Sequence, residues 1–209
     1  MSNVLLIWGA GGHAKVVLDI ARSSGRFGRI VFVDDDPGKA GLRFCGCPVL
    51  GGPGELHRFP ASAFVIAVGD NRVRARCFGR ALGGGLSPVA LVHPTAVVSP
   101  SAIIGSGTVV MAGAIVNAGA EIGENCIVNS GAIVEHDCRI AGHVHVSPRA
   151  VLGGGVTVGA CAHVGIGAVV LPGAAVGEES VVGAGAVVLR EAPARRTMVG
   201  VFAKPLFCT

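Results

Sequence analysis

Apolar residues recur with a period of six along the second half of the chain. From Leu91 to Ala192, 102 residues divide into seventeen consecutive six-residue blocks, and the second residue of every block is aliphatic. The sixth residue is always small: Ala, Ser, Thr, Cys or Val. An amphipathic helix needs a spacing near 3.6 and a half-buried strand needs alternation, so the pattern fits neither. A fixed short repeat predicts stacked units that share one continuous core.

This period predicts a prism-like parallel β-helix in which each block forms one flat face. The aliphatic residues point inward, and Gly, Asn or Pro occupy the corners. Three faces make one coil of eighteen residues, so residues eighteen positions apart should stack. His145 and His163 have this separation and both stand first in their blocks, which predicts one ring above the other. Pro193 breaks the period, and the tail from Arg195 to Thr209 is predicted to cover the last coil.

The first part of the chain has the pattern of a strand, a glycine turn, a helix and a second strand. Residues 4–8 are apolar and run into the sequence GAGGHA, and residues 15–21 have helical spacing. A second apolar run, residues 29–33, ends in Asp34-Asp35-Asp36. This order is typical of a nucleotide-binding α/β unit. The glycines would let backbone N–H groups approach a phosphate, and the acids could bind a ribose or a base.

The α/β unit is only about half the size of a full dinucleotide domain, which favours a mononucleotide-type ligand over NAD. We therefore divide the chain into a Rossmann-like nucleotide-sugar-binding domain, residues 1–86, and a β-helix domain with a C-terminal cap, residues 87–209. The remaining elements predicted for the first domain are strands at Pro48–Gly51 and Phe64–Gly69, a helix at Arg72–Leu82, and a linker made of Gly83–Gly85 and Ser87-Pro88.

Composition excludes several classes of protein. The formal charge of +4 is dispersed, and the chain has no Tyr and one Trp, so a nucleic-acid-binding stripe with aromatic platforms is not predicted. No run of eighteen residues is free of residues that break an apolar stretch, so a membrane span is not predicted. No signal peptide is recognisable. Seven scattered cysteines indicate free thiols in a reducing cytoplasm. Cys126 and Cys138 fill the small sixth position of their blocks, where packing explains them.

The sequence Glu135-His136-Asp137 is the chemically distinctive corner of the repeat. His136 is fourth in its block, at or near a corner, and stands between two carboxylates. A neighbouring carboxylate can orient an imidazole and raise its basicity, as a general base requires. A solvated charged corner is the alternative interpretation. No Asp or Cys completes a ligand set with the histidines at a plausible spacing, so no metal site is predicted.

Four motifs together resemble one known family. They are GAGGHAKVV from Gly9, FVDDD from Phe32, GDN from Gly69, and NSGAIVEHDC from Asn129 within the repeats. The chain resembles, over nearly its whole length, the sialic-acid O-acetyltransferase and nucleotide-sugar N-acetyltransferase family of the hexapeptide-repeat acyltransferases. The resemblance implies a left-handed β-helix, a homotrimer, and acetyl-CoA bound along the seam between neighbouring coils. The best-understood members acetylate the 4-amino group of a UDP-linked sugar in bacterial glycan pathways.

The resemblance also implies roles for individual residues. His136 would be the general base, Asp137 would raise its basicity, and Asn129 would line the same site. His145 would meet the pantetheine or acetyl part of the cofactor, which would be contacted further along by Gly154, Ile166 and Ala184. For the nucleotide, Gly11, Gly12 and His13 would hold the phosphates, Asp34 and Asp35 would meet the uridine, and Gly69 would complete the pocket.

The chain departs from the family pattern at three places. Ala184 stands where relatives often have Gly, which a backbone contact would tolerate. Asp70-Asn71 replaces the usual Asn-Asn. The tail reads Gly-Val-Phe-Ala-Lys from Gly200, where relatives commonly have Gly-x-Pro-Ala-Lys, so Lys204 is given no role in CoA binding.

We therefore predict an acetyl-CoA-dependent N-acetyltransferase that acts on a nucleotide-linked amino sugar, with UDP favoured and GDP as a further option. An O-acetyltransferase acting on a sugar hydroxyl, including sialic acid, is the alternative within the same class. Gly9, Gly11 and Ala14 also fit G-x-G-x-x-A, which leaves an NAD-binding oxidoreductase as an alternative. A non-catalytic trimer that binds a sugar nucleotide is the third.

Overall fold

The N-terminal part of the chain forms a mainly parallel sheet with helices on both faces. The structure, a computed structural model, describes residues 4–201 and 204–205. The strand order is β3-β4-β2-β1-β5-β6, and only the β3–β4 hairpin is antiparallel. The elements are β1 (Val4–Trp8), α1 (Gly12–Ser23), β2 (Arg29–Val33), β3 (Arg43–Phe44), β4 (Cys47–Leu50), β5 (Ala63–Ile66), α2 (Asn71–Gly83) and β6 (Ser87–Pro88), with short 3₁₀ turns at Pro37–Lys39 and Pro53–Arg58.

Local sequence explains both helices. In α1 the apolar spacing buries Val17, Leu18 and Ala21, as predicted, although the helix begins three residues earlier than expected. In α2 the Asp70 carboxylate accepts a hydrogen bond from the Val73 N–H at 2.7 Å. This is the capping contact that favours Asp just before a helix.

The predicted linker is wrong at Ser87-Pro88, because these residues form β6 at the edge of the sheet. Proline has no N–H to donate, and an edge strand tolerates it where an inner strand would not. The N-terminal sheet therefore continues to Pro88, and the β-helix begins at Leu91.

The second part of the chain is a left-handed parallel β-helix. Its two-residue strands stack into three sheets, here called faces 1, 2 and 3. Face 1 contains β7 (Leu91–Val92), β10 (Val109–Val110), β13 (Ile127–Val128), β16 (His145–Val146), β19 (His163–Val164), β22 (Val181–Val182), β25 (Thr197–Val199) and β26 (Lys204–Pro205). Face 2 contains β8 (Val97–Val98), β11 (Ile115–Val116), β14 (Ile133–Val134), β17 (Val151–Leu152), β20 (Val169–Val170) and β23 (Val187–Val188). Face 3 contains β9 (Ile103–Ile104), β12 (Glu121–Ile122), β15 (Arg139–Ile140), β18 (Thr157–Val158), β21 (Ala175–Val176) and β24 (Glu191–Ala192).

The repeat acts as predicted along most of this length. Strands pair in parallel with partners eighteen residues away, as Val110 does with Val128, and the second residues of the blocks form the core. The fifth residue of each block from Gly107 to Gly185 has a positive φ. This left-handed conformation turns the chain at each corner and explains why glycine is so frequent there.

The predicted period is wrong in its last block. Val187 pairs with Val169, but Glu191 then pairs with Ala175, sixteen residues away. The corner between β23 and β24 is therefore two residues short, and buried Ala192 takes an inward position. The period therefore breaks before Pro193, and Ala192, the small sixth residue of its sequence block, stands in the inward position opposite Val176. Of the predicted cap, residues 202–203 and 206–209 lie outside the described part.

A buried arginine joins the two parts. Arg74 in α2 is 1% exposed, and α1 also packs on the outer side of face 1, against Leu91 and Val109. The Arg74 guanidinium donates only to backbone carbonyls, and burial lowers its pKa to about 10, so it stays charged at neutral pH. Its acceptors are the carbonyls of Val68, Gly69, Asn125, His143 and Val144, at 2.7–3.3 Å.

We predict that Arg74→Met lowers the free energy of unfolding by about 2–4 kcal/mol, because it leaves buried carbonyls without donors. Chemical denaturation measures the change. The matched control is Arg76→Ala on the exposed side of the same helix, which should change stability by about 0.5 kcal/mol or less. Equal effects of the two substitutions would contradict a special role of Arg74.

Candidate active site

The histidine predicted as a base is held by its neighbouring carboxylate. His136 Nδ1 lies 2.8 Å from Asp137 Oδ2. Asp137 occupies the left-handed corner position with a φ of +59°, a conformation that Asp tolerates better than most residues. Because the carboxylate accepts a hydrogen bond from Nδ1–H, the proton of the neutral ring stays on Nδ1, and the Nε2 lone pair is free to take a proton from a substrate.

Two glycines in the adjacent coils make room for this pair. A Cβ on Gly154 would lie 2.5 Å from His136 Nε2, and a Cβ on Gly119 would lie 2.7 Å from Asp137 Oδ1. The imidazole thus lies over Gly154 and the carboxylate over Gly119. Among the described residues, no acceptor bonds the backbone N–H of Gly154. The site therefore combines a base with a free backbone donor.

The electrostatics suit a general base. The hydrogen bond that the His136 ring donates to the Asp137 carboxylate is the main cause that raises the pKa of His136, and the charge of Glu135 also raises it. The side chain of His136 is 62% exposed in the single chain. Its ring is therefore accessible, and its basicity is increased without burial.

A second cluster lies on face 1, where His145 and His163 stack as predicted. Their ring centroids are 4.8 Å apart, and the planes differ by 5°. Asn129 Nδ2 lies 3.0 Å from His145 Nε2, and Ser147 Oγ lies 2.7 Å from His163 Nε2. Burial lowers the pKa of His145 to about 3, helped by His163 and Arg74, so His145 is neutral at physiological pH.

The structure does not bring all the predicted residues together in one chain. His136 and Gly154 lie on the corner between faces 2 and 3, whereas Asn129, Ile166 and Ala184 lie on the corner between faces 1 and 2. His145 is on face 1 itself. Within one chain, therefore, Asn129 is separated from His136 by the width of face 2, and the residues predicted to contact the cofactor are divided between two corners.

On the N-terminal domain, the predicted phosphate loop is open. Gly11 and Gly12 are exposed at the start of α1, and a Cβ added to either one would have no atom within 4 Å. His13 is largely buried, and its Nε2 has no hydrogen-bond partner within residues 4–201 and 204–205. Burial, followed by Arg74, lowers the pKa of His13 to about 4.

Asp34 has a structural role that the sequence pattern did not predict. Its Oδ2 accepts from the Ala10 N–H at 2.7 Å and from Lys39 Nζ at 3.0 Å, and its Oδ1 accepts from the Asp36 N–H at 3.0 Å. The carboxylate therefore holds the glycine loop in place. Asp35 is exposed and remains accessible to a ligand.

A cavity of about 590 Å³ is lined by residues at the start of α2 and by residues of face 1. Gly69 and His145 line it together, so the strand-end loop and the histidine stack share one crevice. Asn71 was not predicted as a site residue, yet its Nδ2 bonds the carbonyls of Cys161 and Ala162. Asn71 is the last residue of the GDN motif that begins at Gly69, and this position could have identified it as a site residue. The full lining is Gly69, Asp70, Asn71, Arg72, His145, Cys161, His163, Glu179 and Val181.

Known proteins share both parts of this geometry. The family described as PglD N-terminal domain matches residues 4–81, and the bacterial transferase hexapeptide (six repeats) matches residues 101–136. A mutant of perosamine N-acetyltransferase from Caulobacter crescentus, solved with CoA and GDP-perosamine, is 41% identical, with 98% of this chain and 97% of that chain covered and a TM-score of 0.92. The chain belongs to the nucleotide-sugar N-acetyltransferase family of hexapeptide acyltransferases.

Further structures agree with this family. The acetyltransferase domain of PglB from Neisseria gonorrhoeae FA1090, solved with acetyl coenzyme A, is 40% identical, with 99% of this chain and 100% of that chain covered and a TM-score of 0.94. WeeI from Acinetobacter baumannii AYE is 28% identical, with 97% and 99% covered and a TM-score of 0.88. No curated protein matches the chain. The predicted family, fold class and enzyme class are confirmed.

The described ranges of this acyltransferase hold neither a metal cluster nor a membrane-spanning helix. No group of three or more His, Cys, Asp or Glu side chains there could hold a metal ion. No helix there is long and apolar enough to cross a membrane. The six cysteines of the same ranges are free thiols.

We predict that Gly154→Ala lowers turnover while the fold is kept, because the new methyl group would occupy the space of the His136 ring. Steady-state kinetics and the melting temperature measure the two effects. Gly142→Ala is the matched control, since Gly142 holds the same fourth position and its Cβ would meet the flexible Glu124 side chain at 3.3 Å. Unchanged turnover in Gly154→Ala would show that the ring does not need this position.

Proposed function

We propose that the chain transfers the acetyl group of acetyl-CoA to the 4-amino group of a nucleotide-linked sugar. The observation that carries the proposal is the His136–Asp137 pair above Gly154, which supplies a base beside a free backbone N–H. The relatives support it, since a structure at 41% identity holds CoA and GDP-perosamine and another at 40% identity holds acetyl-CoA. Acetyl-CoA is then the co-substrate, and no metal takes part in the proposed steps.

The identity of the nucleotide is the finer part of the proposal. The family resemblance favours UDP, whereas the perosamine N-acetyltransferase structures contain a GDP-linked sugar. We therefore propose that the acetyl acceptor is a UDP- or GDP-linked 4-amino sugar. Thiol release measured with each of the two sugars distinguishes them. The cytoplasmic location inferred from the free cysteines stays a prediction.

The proposed chemistry needs no acyl-enzyme. The sugar nitrogen attacks the thioester carbonyl and a C–N bond forms. A proton of the amine passes to His136 Nε2. The oxyanion that develops on the carbonyl accepts a hydrogen bond from the Gly154 N–H. The C–S bond then breaks, and the CoA thiolate leaves with the proton from His136. Asp137 stabilises the imidazolium that exists between these two proton transfers.

The outer surface of the β-helix supports association into a trimer. On face 2, every first-position residue that points outward is aliphatic, whereas face 3 presents charged groups such as the Arg139–Glu121 ion pair at 2.6 Å. Face 1 is covered in part by the N-terminal domain. Val97 is exposed and the other residues of this row are half-buried in the single chain, and a contiguous apolar row that solvent can reach is typical of an interaction surface. The outward row of face 2 consists of Val97, Ile115, Ile133, Val151, Val169 and Val187.

Trimer formation through face 2 would complete the site. If face 2 of all three chains points toward a threefold axis, the corner between faces 2 and 3 of one chain lies next to the corner between faces 1 and 2 of its neighbour. His136 of one chain then lies beside Asn129 and Ile166 of the next. The seam would hold acetyl-CoA, and the amino sugar would reach it from the neighbouring N-terminal domain. Neither corner alone carries both a base and a nucleotide site.

The assay that tests the proposal follows thiol release from acetyl-CoA with UDP-, GDP- and dTDP-linked 4-amino sugars. A hydroxyl acceptor such as sialic acid is run beside them, and greater turnover with it would favour O-acetylation. Nucleotide-sugar binding with no thiol release from any acceptor would favour the non-catalytic alternative. Tight binding of NAD, read from Trp8 fluorescence, would favour the oxidoreductase.

We predict that His136→Ala lowers kcat by about 10²–10⁴-fold. Asp137→Asn should retain more activity and shift the acidic limb of the kcat–pH profile to lower pH. The base must be unprotonated to work, and the substitution removes the main cause that raises the pKa of His136. Near-full turnover of His136→Ala, or an unshifted limb in Asp137→Asn, would remove the pair from the mechanism.

We predict that two inactive variants complement each other. His136→Ala damages the corner that carries the base, and His13→Ala damages the nucleotide side. If each site is shared by two chains, a co-expressed mixture should recover roughly a quarter of wild-type activity, because most random trimers contain one intact site. The separately purified variants are the controls. No recovery in a confirmed mixed trimer would show that both residues act within one chain.

A further inference from the structure

The two corners that border face 2 carry opposite charges near the height of His136. In the turns between faces 1 and 2, Arg149 is the one residue that is Asp, Glu, Lys or Arg. The turns between faces 2 and 3 carry acids in one coil alone, at Glu135 and Asp137. The turns compared are residues 93–96, 111–114, 129–132, 147–150, 165–168 and 183–186 on the first corner, and residues 99–102, 117–120, 135–138, 153–156, 171–174 and 189–190 on the second.

Arg149 has no partner in its own chain. The residue is exposed, and no acid in the described part of the chain pairs with its guanidinium. It is fifth in its block and has a φ of +57°. Its Cγ lies over Gly131 in the coil below, 3.6 Å from the position that a Cβ of this glycine would take. The side chain therefore runs down the corner, from its own coil to the height of Gly131.

Glu135 also turns toward the coil below. Its Oε2 accepts a hydrogen bond from Asn117 Nδ2 at 2.9 Å, and Asn117 stands one coil lower. Glu135 directly follows Val134 of face 2, and Arg149 comes two residues before Val151 of the same face. Both charged residues are thus on the face 2 side of their corners, which is the side nearest the proposed threefold axis.

The height of each residue along the β-helix follows from its number. Neighbouring strands lie about 4.8 Å apart, so each coil of eighteen residues rises by about that distance. Arg149 comes 14 residues after Glu135 and stands about 4 Å higher. In a trimer whose axis is parallel to the β-helix, equal residue numbers have equal heights in all chains. The downward course of the Arg149 side chain covers the difference.

We propose that Arg149 of one chain forms an ion pair with Glu135 of the neighbouring chain, and that this pair closes the inner side of the seam that holds His136. The neighbour thus contributes a cation to the corner that carries the base. Arg149 and Glu135 are positioning residues, since neither touches the reacting atoms. The inference rests on the proposed trimer through face 2, and it adds the contact that sets how closely the two corners approach.

The pair also affects the base. The charged groups next to His136 are Asp137 and Glu135 on its own corner, and both raise the pKa of His136, Asp137 mainly through its hydrogen bond. The turns directly below and above, residues 117–120 and 153–156, carry no charge. A guanidinium on Glu135 offsets the effect of that carboxylate. The imidazole then stays neutral, and able to accept a proton, down to a lower pH.

The first test exchanges the charges. Arg149→Glu places like charges on facing corners, and Glu135→Arg does the same with cations. Each should raise the dissociation constant of the trimer about tenfold or more, measured by analytical ultracentrifugation over a dilution series. The double variant restores opposite charges and should recover much of the loss. Within one chain the width of face 2 separates the two residues, so this recovery can arise only between chains.

The control for the charge exchange is Arg29→Glu at the exposed start of β2. It makes the same change of net charge as Arg149→Glu and should leave the dissociation constant as in the wild type. A double variant that dissociates as readily as the single variants would overturn the pair. An Arg149→Glu trimer that is as stable as the wild type would overturn it as well.

The second test measures the effect on the base with Arg149→Gly. Glycine suits the positive φ of this position, so the fold should be kept. Without the guanidinium, the charge of Glu135 acts fully on His136 and raises its pKa. Because the base works unprotonated, the acidic limb of the kcat–pH profile should move to higher pH, whereas Arg29→Glu should leave it in place. An unmoved limb in a trimeric Arg149→Gly protein would contradict the proposal.

Two measurements on the wild type separate this inference from the proposed function. If the wild type acetylates no amino sugar, the proposed function fails, and NMR titration of His136 in both proteins still reads the shift caused by Arg149→Gly. If the wild type does not sediment as a trimer, the proposed arrangement and the ion pair fail together. A wild-type trimer that is active, with no effect of either Arg149 substitution, would overturn the ion pair alone.

Discussion

The burial of one guanidinium between two differently built domains determines the geometry of the site. Arg74 reaches from α2 to the carbonyls of Asn125, His143 and Val144, and so fixes the height at which the N-terminal domain meets the β-helix. That height places the strand-end loop beside His145, where the repeat first substitutes polar rings for aliphatic side chains on face 1. Because its acceptors are neutral, the positive charge of Arg74 stays available to the crevice. Arg74 thus attaches the N-terminal domain to the β-helix and also makes the electrostatic potential of the crevice more positive.

The β-helix supplies the rigidity that this arrangement needs, and its exceptions mark the chemistry. Many corners of this repeat consist of small residues such as Gly, Ala and Ser. Here the chain departs from it with His136 and Asp137, and it accommodates them by having Gly154 and Gly119 one coil away. Departures from a local pattern that are compensated in neighbouring positions are typical of functional sites. The left-handed backbone conformation of Asp137 also contributes to the site, since it directs the carboxylate back to the His136 ring.

Much of this could be predicted from the sequence, because a short repeat converts spacing into position. The stacking of His145 on His163 followed from a separation of eighteen residues alone. The role of Arg74 could not be predicted, since spacing within α2 does not reveal which side of the helix meets a second domain. The bonds of Asp34 depend on a loop that sequence patterns do not position. The separation of Asn129 from His136 could have been derived, because adjacent blocks end at different corners, but the family resemblance grouped them.

The division of the site has a consequence for the order of events. On the proposed arrangement, the phosphate groups bind at the α1 loop of one chain, while the base belongs to the neighbour. A single chain could then hold the nucleotide sugar but could not deprotonate its amine. Association through the aliphatic row of face 2 therefore adds the catalytic group, and the free energy of burying that row holds the base at a fixed distance from the sugar. Because His136 is exposed in the single chain and its corner is rigid, no rearrangement within the chain is needed when the neighbour arrives.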